Sequence, residues 1–351
     1  METNLDSPRL VIGIDAGGTK TSAWLGRVRA SPPPGKPDQH AKTLEPPAAA
    51  RDQVEVLGQG LAGPGNPRAV GFEAATDNMR QAVEEAFARA PCEMSPAAAL
   101  CIGAAGAGRP EEQARLESWC MAAGLALRVK ATGDARPVLA SAYADRTLSE
   151  LKNMYGIALI CGTGSMAWGC DASSEARSGG WGYLLGDEGS GYWIALEGLR
   201  AACRSAEGRA PDTRLLPAFM DRLQLSSPTG LIDAIYGEKF DRRRIASLAE
   251  VVVATAEGSN EQPNAGEPDG VAATIVERAA CELCELVRNV AGKLQLGTRP
   301  WTLAITGGVL LHSASLQSNL QRQLQSLGAP TIVPVASPVQ GALFLAASIL
   351  D

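Results

Sequence analysis

The sequence has 351 residues, 45% hydrophobic residues, 20% charged residues and a formal net charge of −6. This length is enough for two domains, and the composition is that of a globular protein rather than a disordered or fibrous one. The acidic balance excludes the basic surface typical of nucleic-acid-binding proteins. The apolar stretch 341–350 is shorter than the 18 or so residues of a membrane span, so we expect no contact with nucleic acid or membrane.

The amino terminus and the cysteines indicate the compartment. Glu2 and Asp6 precede the first apolar run, without the basic and apolar regions of a signal peptide, so we expect a cytoplasmic protein. The eight cysteines lie mostly inside apolar runs, which is typical of free buried thiols. Cys281 and Cys284 form the one close pair, and the chain has only two histidines, so we expect no zinc site.

Residues 10–26 predict a strand, a glycine turn and a second strand. Asp15 ends the first strand, and Gly17, Gly18 and Thr19 form the turn. An Asp at this place can hold Mg²⁺ through water while the turn amides and the Thr hydroxyl bind phosphate oxygens. The alternative is a plain hairpin with Asp15 in its turn. The stretch is not a Walker A loop, because the G-x-x-x-x-G-K-[ST] pattern is absent.

The segments from 30 to 90 contain few candidate functional residues. Residues 30–51 are rich in proline and alanine and predict an excursion between strands, to which we assign no role. Asn66 lies in a loop before Pro67, where it could bind a polyhydroxylated substrate or simply form the turn. A helix is predicted over 71–90, with its core face formed by Ala75, Met79, Ala82, Val83 and Phe87.

Asp134 is the second carboxylate of interest. It follows a predicted strand at 127–130 and precedes a predicted helix at 136–144. An acid at this place lies at the mouth of a parallel sheet, where α/β proteins bind ligands. The alternative role is to cap the helix amino end, and the two roles are compatible.

Residues 156–169 predict a second hairpin around the turn Gly162–Ser165. Its glycines, and the hydroxyls of Thr163 and Ser165, suit a phosphate. The run 162–167 also fits the G-x-G-x-x-[GA] dinucleotide fingerprint. That fingerprint requires a helix at the turn, and because 166–171 predicts a strand we reject it.

A loop rich in glycine and acids follows at 179–189 and leads into a predicted helix at 190–205. Ordering Asp187 and Glu188 on so many glycines costs backbone entropy, which favours a ligand there; alternatively, Glu188 only stabilises the helix amino end. The basic run 242–244 is interpreted as a solvated face.

The last third of the chain predicts a polar loop at 257–270, a long helix at 271–293 and, over 301–309, a strand that ends in a Gly-Gly turn. The strand runs into Gly307 and Gly308, whose backbone could approach a flat ring such as adenine. Tight packing between the strand and the next helix, from about 314, is the alternative.

Two strand-turn-strand units with glycine turns predict a duplicated α/β domain. The motifs that carry them are Gly13–Lys20, Gly162–Ser165, Gly179–Trp193 and Ile305–Gly308. Together they resemble the N-acetylglucosamine kinase branch of the BadF/BadG/BcrA/BcrD ATPase family, within the superfamily of sugar kinases, Hsp70 and actin. The resemblance extends over residues 10–349.

This resemblance implies an α/β, duplicated ribonuclease-H-like (actin-like ATPase) fold, with two lobes around a nucleotide cleft. The lobes would comprise residues 1–145 and residues 146–338, the latter with a helical insertion, while the helix at 339–351 packs back on the first. It also implies ATP and Mg²⁺ as cofactors and an amino sugar as the small-molecule substrate. Whether the chain forms a homodimer is left open.

The resemblance also assigns roles to residues. Asp134 matches the catalytic base that accepts the proton of the sugar 6-hydroxyl. Asp15 is the candidate for Mg²⁺, through water, because of its place at the end of the first strand, and which acid contacts the ion most directly is left open. The residues expected to bind ATP are Asp15, Gly17, Gly18, Thr19, Thr163, Gly164, Gly307 and Gly308, of which all but Asp15 match motifs of the family. Those that match sugar-binding positions are Asn66, Asp134, Ser165, Gly180, Trp181, Gly182 and Asp187.

Two positions depart from the family pattern. Met166 stands where the mammalian enzymes have an Asn, and Pro67 stands where they have a His. The expected activity is therefore N-acetylglucosamine kinase, with glucosamine kinase as the alternative. A non-enzymatic sugar or nucleotide sensor is a further alternative, as is an ATPase activator of a 2-hydroxyacyl-CoA dehydratase, although the Cys-Ala-Ala-Gly-Thr-Gly motif of those activators is missing.

Overall fold

The computed structural model describes residues 9–29, 49–237, 241–258, 267–328 and 330–350. They form two compact units. The first comprises the described residues up to Tyr155, the short segment 171–173 and the residues from Ser337; the second comprises 156–170 and the described residues of 174–336. Most of the proline-rich stretch and much of the predicted polar loop at 257–270 lie outside the described residues.

The first unit is built on a five-stranded sheet with the order β3-β2-β1-β4-β5. Its strands are β1 (Arg9–Ala16), β2 (Thr21–Val28), β3 (Val54–Ala62), β4 (Ala99–Ala104) and β5 (Val129–Gly133). Its helices up to this point are α1 (Ala50–Gln53), α2 (Pro67–Val70), α3 (Phe72–Ala88), α4 (Pro110–Ala122) and α5 (Ala135–Ser141). β1, β2 and β3 pair antiparallel, whereas β1, β4 and β5 are parallel.

The second unit has a sheet with the order β10-β9-β6-β7-β8. Its strands are β6 (Gly156–Cys161), β7 (Ser165–Cys170), β8 (Glu175–Gly179), β9 (Thr302–Thr306) and β10 (Thr331–Pro334). Its helices are α6 (Gly191–Ala206), α7 (Leu215–Arg222), α8 (Gly230–Tyr236), α9 (Arg242–Ser247), α10 (Ala249–Glu257), α11 (Gly270–Lys293), α12 (Gly308–His312) and α13 (Ala314–Leu324). The helix α14 (Pro338–Ser348) returns to the first unit.

The two sheets have the same topology. In each, three antiparallel strands are followed along the chain by a fourth strand that pairs in parallel with the first and a fifth that pairs in parallel with the fourth. β6 to β10 therefore repeat the arrangement of β1 to β5. The expected duplicated ribonuclease-H-like fold is therefore confirmed. Both predicted glycine hairpins are also confirmed, and with β7 in place the rejection of a dinucleotide-binding turn is justified.

Helix α3 covers one face of the first sheet. The five residues predicted for its core side are all buried, as the helical spacing predicts. Gly58 of β3 packs against the backbone of Ala86, and Gly60 against that of Ala82. Every residue of β4 is buried, so the core of this unit lies around the central parallel strands.

Helix α14 packs tightly on the same unit. A Cβ on Gly13 would lie 2.7 Å from Leu343 Cα and 2.8 Å from the Ala342 carbonyl carbon. A Cβ on Gly341 would lie 2.6 Å from the backbone nitrogen of Ser141, whose hydroxyl accepts the Gly341 N–H at 2.9 Å. α14 therefore fixes both β1 and α5 by close backbone contact.

Among the described helices, none is both long and apolar enough to cross a membrane.

Candidate active site

The turn between β1 and β2 is a cluster of backbone donors. The Gly17 N–H donates to the Lys20 carbonyl at 3.0 Å, and the N–H groups of Gly18 and Thr19 have no acceptor among the described residues. Thr19 is exposed. Successive free N–H groups of this kind form a concave anion site.

Asp15 and Asp134 lie at the carboxyl edge of the same sheet. Asp15 pairs in register with Gly103, and Gly103 pairs with Thr132, two residues before Asp134. The pKa of Asp15 is raised to about 7, chiefly by burial and also by the negative charge of Asp134, while Lys20 opposes the shift. The edge therefore carries closely placed carboxylates that a cation would stabilise.

Asp134 occupies the N-cap position of α5, but its side chain makes no capping hydrogen bond. The predicted strand before it extends further than expected, to Gly133. The predicted place at the mouth of the parallel sheet is therefore found, while the capping alternative is wrong for the side chain. The backbone of Asp134 is itself helical, unlike the extended backbone of a typical N-cap.

Asn66 lies beside the turn of the first unit that is expected to bind phosphate, Gly17–Thr19. The Gly65 N–H donates to the Gly17 carbonyl at 2.9 Å, which joins the two loops. Asn66 Oδ1 accepts the Arg68 N–H at 2.9 Å and so caps α2. The turn-forming alternative is thus observed, and no partner of the Asn66 amide nitrogen is found among the described residues.

The β6–β7 turn repeats the donor arrangement in the second unit. The Gly162 N–H donates to the Gly164 carbonyl at 3.0 Å, and the Gly162 carbonyl accepts the Gly191 N–H at 2.9 Å. In the described part of the chain, the N–H groups of Thr163 and Gly164 have no acceptor. The Thr163 side chain is half-buried.

Gly307 and Gly308 differ from one another. Gly307 has φ +109°, and a Cβ there would overlap the Cys161 carbonyl and lie 2.9 Å from the Gly162 nitrogen. Tight packing, the alternative interpretation, is therefore observed at Gly307. Gly308 has open space within 4 Å around the position of a Cβ, so only this glycine leaves room for a ligand.

Asp187 is buried in the second unit in an unusual backbone conformation. It is 4% exposed and has φ +62°. Its Oδ1 accepts the Ser165 N–H at 3.3 Å, and its Oδ2 accepts from Arg242 at 2.7 Å. Burial raises the pKa of Asp187, against the opposing effects of the Ser165 N–H and the Arg242 charge.

Two expectations need correction at this place. Arg242 was interpreted as part of a solvated face, but it makes the ion pair with Asp187. The Ser165 hydroxyl was expected to donate to a phosphate, but it donates to the Glu188 carbonyl at 2.7 Å and so uses its only hydrogen to hold the glycine-rich loop. Nothing in the sequence near 242 links it to a loop 55 residues earlier.

The other residues matched to sugar contacts lie on that loop. Arg177 donates to the Gly180 carbonyl at 2.6 Å and to the Gly179 carbonyl at 3.1 Å. Gly180 and Gly182 both have positive φ, +68° and +85°. Trp181 between them is 73% exposed, so its indole is open to a ligand.

The donor set of the first unit fits Mg²⁺. Carboxylate oxygens are the ligands this ion prefers, and it is bound through one or two carboxylates with water and phosphate completing its shell. No group of three His, Cys, Asp or Glu side chains gathers into a metal cage in the described residues. Asp15, with Asp134 beside it, is the matching place for such an ion.

Comparison with known proteins gives consistent matches. A model of the BadF/BadG/BcrA/BcrD ATPase family matches residues 12–346. The chain is 31% identical over 303 residues to the N-acetylmuramic acid/N-acetylglucosamine kinase of Clostridium acetobutylicum, covering 86% of each protein. It is 27% identical over 346 residues to the N-acetyl-D-glucosamine kinase of Dictyostelium discoideum, covering 97% of this chain and 98% of the relative. Its fold matches the solved structure named "Putative N-acetylglucosamine Kinase" from Chromobacterium violaceum, with a TM-score of 0.66, 22% identity and coverage of 96% and 99%.

Proposed function

Because the chain belongs to the BadF/BadG/BcrA/BcrD ATPase family, we propose that it is an ATP-dependent amino-sugar kinase that phosphorylates the 6-hydroxyl of N-acetylglucosamine. ATP use follows from the family. The observation that carries the proposal is the pair Asp15 and Asp134 beside a turn with free backbone donors. The names of the two sequence relatives support the choice of sugar.

In this proposal Asp134 is the general base. Phosphoryl transfer depends mainly on positioning and charge stabilisation, so one well-placed carboxylate suffices to accept the proton of the attacking hydroxyl. Asp15 would hold Mg²⁺ through water, and the bound ion would neutralise charge on the phosphate oxygens. Lys20, which opposes the raised pKa of Asp15, supplies further positive charge at this edge.

Each glycine turn is a candidate for binding phosphate oxygens of ATP. Gly17, Gly18 and Thr19 offer donors in the first unit, and Thr163 and Gly164 in the second. The open backbone at Gly308 would face the adenosine, whereas Gly307 serves to keep the strand end against the hairpin.

Each unit, taken by itself, carries candidate side chains for the sugar. Asn66 offers its amide nitrogen, Asp187 its carboxylate, and Trp181 an apolar surface for the ring; Gly180 and Gly182 shape the loop, and the Ser165 N–H fixes Asp187. N-acetylmuramic acid is a second candidate acceptor, because the Clostridium relative is named for it.

We also propose that the kinase works in the cytoplasm and depends on Mg²⁺. The mass of the protein in solution tests whether it forms a homodimer.

The first experiment is ADP release with ATP and Mg²⁺ against N-acetylglucosamine, glucosamine, N-acetylmannosamine, N-acetylmuramic acid and glucose. We expect turnover with N-acetylglucosamine well above that with glucose. Preference for glucosamine would correct the substrate and show what Met166 permits. If the protein bound sugar and ATP without turnover, the kinase proposal would be wrong and a sugar or nucleotide sensor would be favoured.

The Asp134→Asn variant tests the base. A general base contributes about 10²–10⁴-fold, so kcat should fall by that order while ATP binding is retained. The matched control is Asp145→Asn, a surface carboxylate of the same unit that pairs with Arg51, which should keep full activity. Near-full activity of Asp134→Asn would remove Asp134 from this role.

A further inference from the structure

The ion pair between Arg242 and Asp187 joins two segments that are distant in sequence. The Arg242 guanidinium lies 2.7 Å from Asp187 Oδ2, and the carboxylate is 4% exposed. Arg242 is the first residue of α9, whose N-cap Asp241 accepts the N–H groups of Arg243 and Arg244. A short, capped helix therefore presents the guanidinium to the loop.

The carboxylate of Asp187 is held on three sides. The Ser165 N–H donates to Oδ1 at 3.3 Å and Arg242 donates to Oδ2. The third side is the backbone of Gly164, where a Cβ would come within 2.7–2.9 Å of the carboxylate atoms. A carboxylate has about four acceptor sites, and the hydrogen bonds from Ser165 and Arg242 occupy two of them.

Arg242 is itself positioned by an aromatic pair. Its guanidinium lies 5.1 Å from the ring centre of Tyr183, and Tyr183 packs edge-on against Tyr192 of α6 at 5.3 Å. The contacts of Arg242 therefore include both the acid and the apolar part of the glycine-rich loop. Arg242 therefore restrains the glycine-rich loop and also neutralises the charge of Asp187.

We propose that Arg242 is a positioning residue for the acceptor sugar, which keeps the Asp187 carboxylate ionised and oriented so that its free acceptor sites receive hydrogen bonds from sugar hydroxyls. This inference rests on the proposed kinase function. It adds to that function a residue outside the motifs of the family resemblance.

The electrostatics agree with this geometry. Burial raises the pKa of Asp187 and Glu188 raises it further, while the Ser165 N–H and Arg242 lower it. Loss of Arg242 would leave a buried carboxylate without its counter-charge, and such a group takes up a proton instead. A protonated Asp187 has fewer acceptor sites and can accept fewer hydrogen bonds from sugar hydroxyls.

The test is steady-state kinetics of Arg242→Met and Arg242→Lys, with Arg244→Met as the matched control on the exposed side of α9. Hydrogen bonds to charged groups contribute enough for about a ten- to hundredfold change. We expect KM for the sugar to rise by about that factor in Arg242→Met, with KM for ATP within about twofold of wild type. Arg242→Lys should recover part of the loss, and Arg244→Met should match wild type.

A double-mutant cycle separates positioning from general packing. If Arg242 acts through Asp187, then Arg242→Met should add less than about a twofold change in the background of Asp187→Asn. This double variant also lacks the buried unpaired charge, so it stays informative if Arg242→Met alone does not fold. In addition, kcat/KM of Arg242→Met should rise with pH over a range where the wild type is flat, because higher pH restores the ionised Asp187.

The outcomes distinguish the two proposals. An active wild-type kinase with unchanged sugar KM in Arg242→Met would overturn the role of Arg242 and leave the kinase function intact. Fully multiplicative effects in the cycle, with equal changes for ATP and sugar, would also overturn it. A wild-type protein that turns over none of the sugars would overturn the proposed function and this inference with it.

Discussion

A single methyl group at Gly307 should disrupt the contact between the strand end of β9 and the turn of the β6–β7 hairpin. Gly307 has φ +109° and ψ +144°, a conformation that residues with a Cβ rarely adopt. The added Cβ would overlap the carbonyl group of Cys161 and come within 2.9 Å of the Gly162 nitrogen. These neighbours are backbone atoms, so they cannot rotate away as the end of a side chain would.

The magnitude follows from two separate costs. Backbone in a sparsely populated region costs about 1–3 kcal/mol, and overpacking a tight contact costs about 1–3 kcal/mol. Gly307→Ala should therefore lower the free energy of unfolding by about 2–6 kcal/mol. The total free energy of unfolding of a folded protein is only about 5–15 kcal/mol, so this loss is severe.

Urea unfolding measures this loss directly. With a typical slope of a few kcal/mol per molar urea, the midpoint of Gly307→Ala should fall by about 1 M or more. Gly308→Ala is the matched control, because its Cβ would meet nothing within 4 Å: its midpoint should be unchanged or slightly higher, while its KM for ATP rises. A Gly307→Ala midpoint within about 0.3 M of wild type would refute the packing argument, and an unchanged ATP KM in Gly308→Ala would refute the adenosine contact.

Two further predictions concern side chains with defined hydrogen bonds. Asn66→Asp keeps the acceptor for the Arg68 N–H but removes the amide donor, so thermal stability should hold while the sugar KM rises up to about tenfold; unchanged kinetics would reduce Asn66 to its turn role. Asp269 is buried, which opposes its charge, yet the hydrogen bonds from Ala272, Arg214 and Thr213 outweigh burial and lower its pKa. Asp269→Asn should thus lose about 1–3 kcal/mol at neutral pH. The gap in stability to wild type, followed by urea unfolding, should shrink as the pH falls below the ordinary Asp value of about 4 and towards the lowered pKa of the native carboxylate. A gap that stays constant down to pH 3 would contradict this linkage.

Much of the fold was predictable because the decisive signals are local. Apolar runs on both sides of the glycine turns at Gly17 and Gly162 predict hairpins, and helical spacing predicts the buried face of α3. The early end predicted for β5 was wrong, since Thr132 and Gly133 join the ladder to β4 without an apolar pattern. β8 and α12 were missed because 175–179 is polar and 308–312 is too short for a periodic signal.

The site was less predictable, because it depends on contacts between distant segments. The basic run at 242–244 looks solvated by itself, and only the fold brings Arg242 to Asp187. Likewise, the sequence could not decide whether Asp134 caps α5 or which of the two glycines at 307 and 308 has free space. Both answers depend on how closely distant backbone segments pack and on which side chains they bury, and a local sequence pattern does not contain this information.

The position of α14 has a consequence for biosynthesis. This helix covers β1 and α5 of the first unit, yet it follows the whole second unit in the chain. While residues 156–336 are being synthesised, the sheet face beneath Gly13 and the face of α5 at Ser141 lack their partner. A chain emerging from the ribosome therefore cannot complete the first unit before the second has been made, and the strand of Asp15 and the helix after Asp134 gain their final support late. The two acidic residues proposed for catalysis would thus be set in place together, at the last stage of folding.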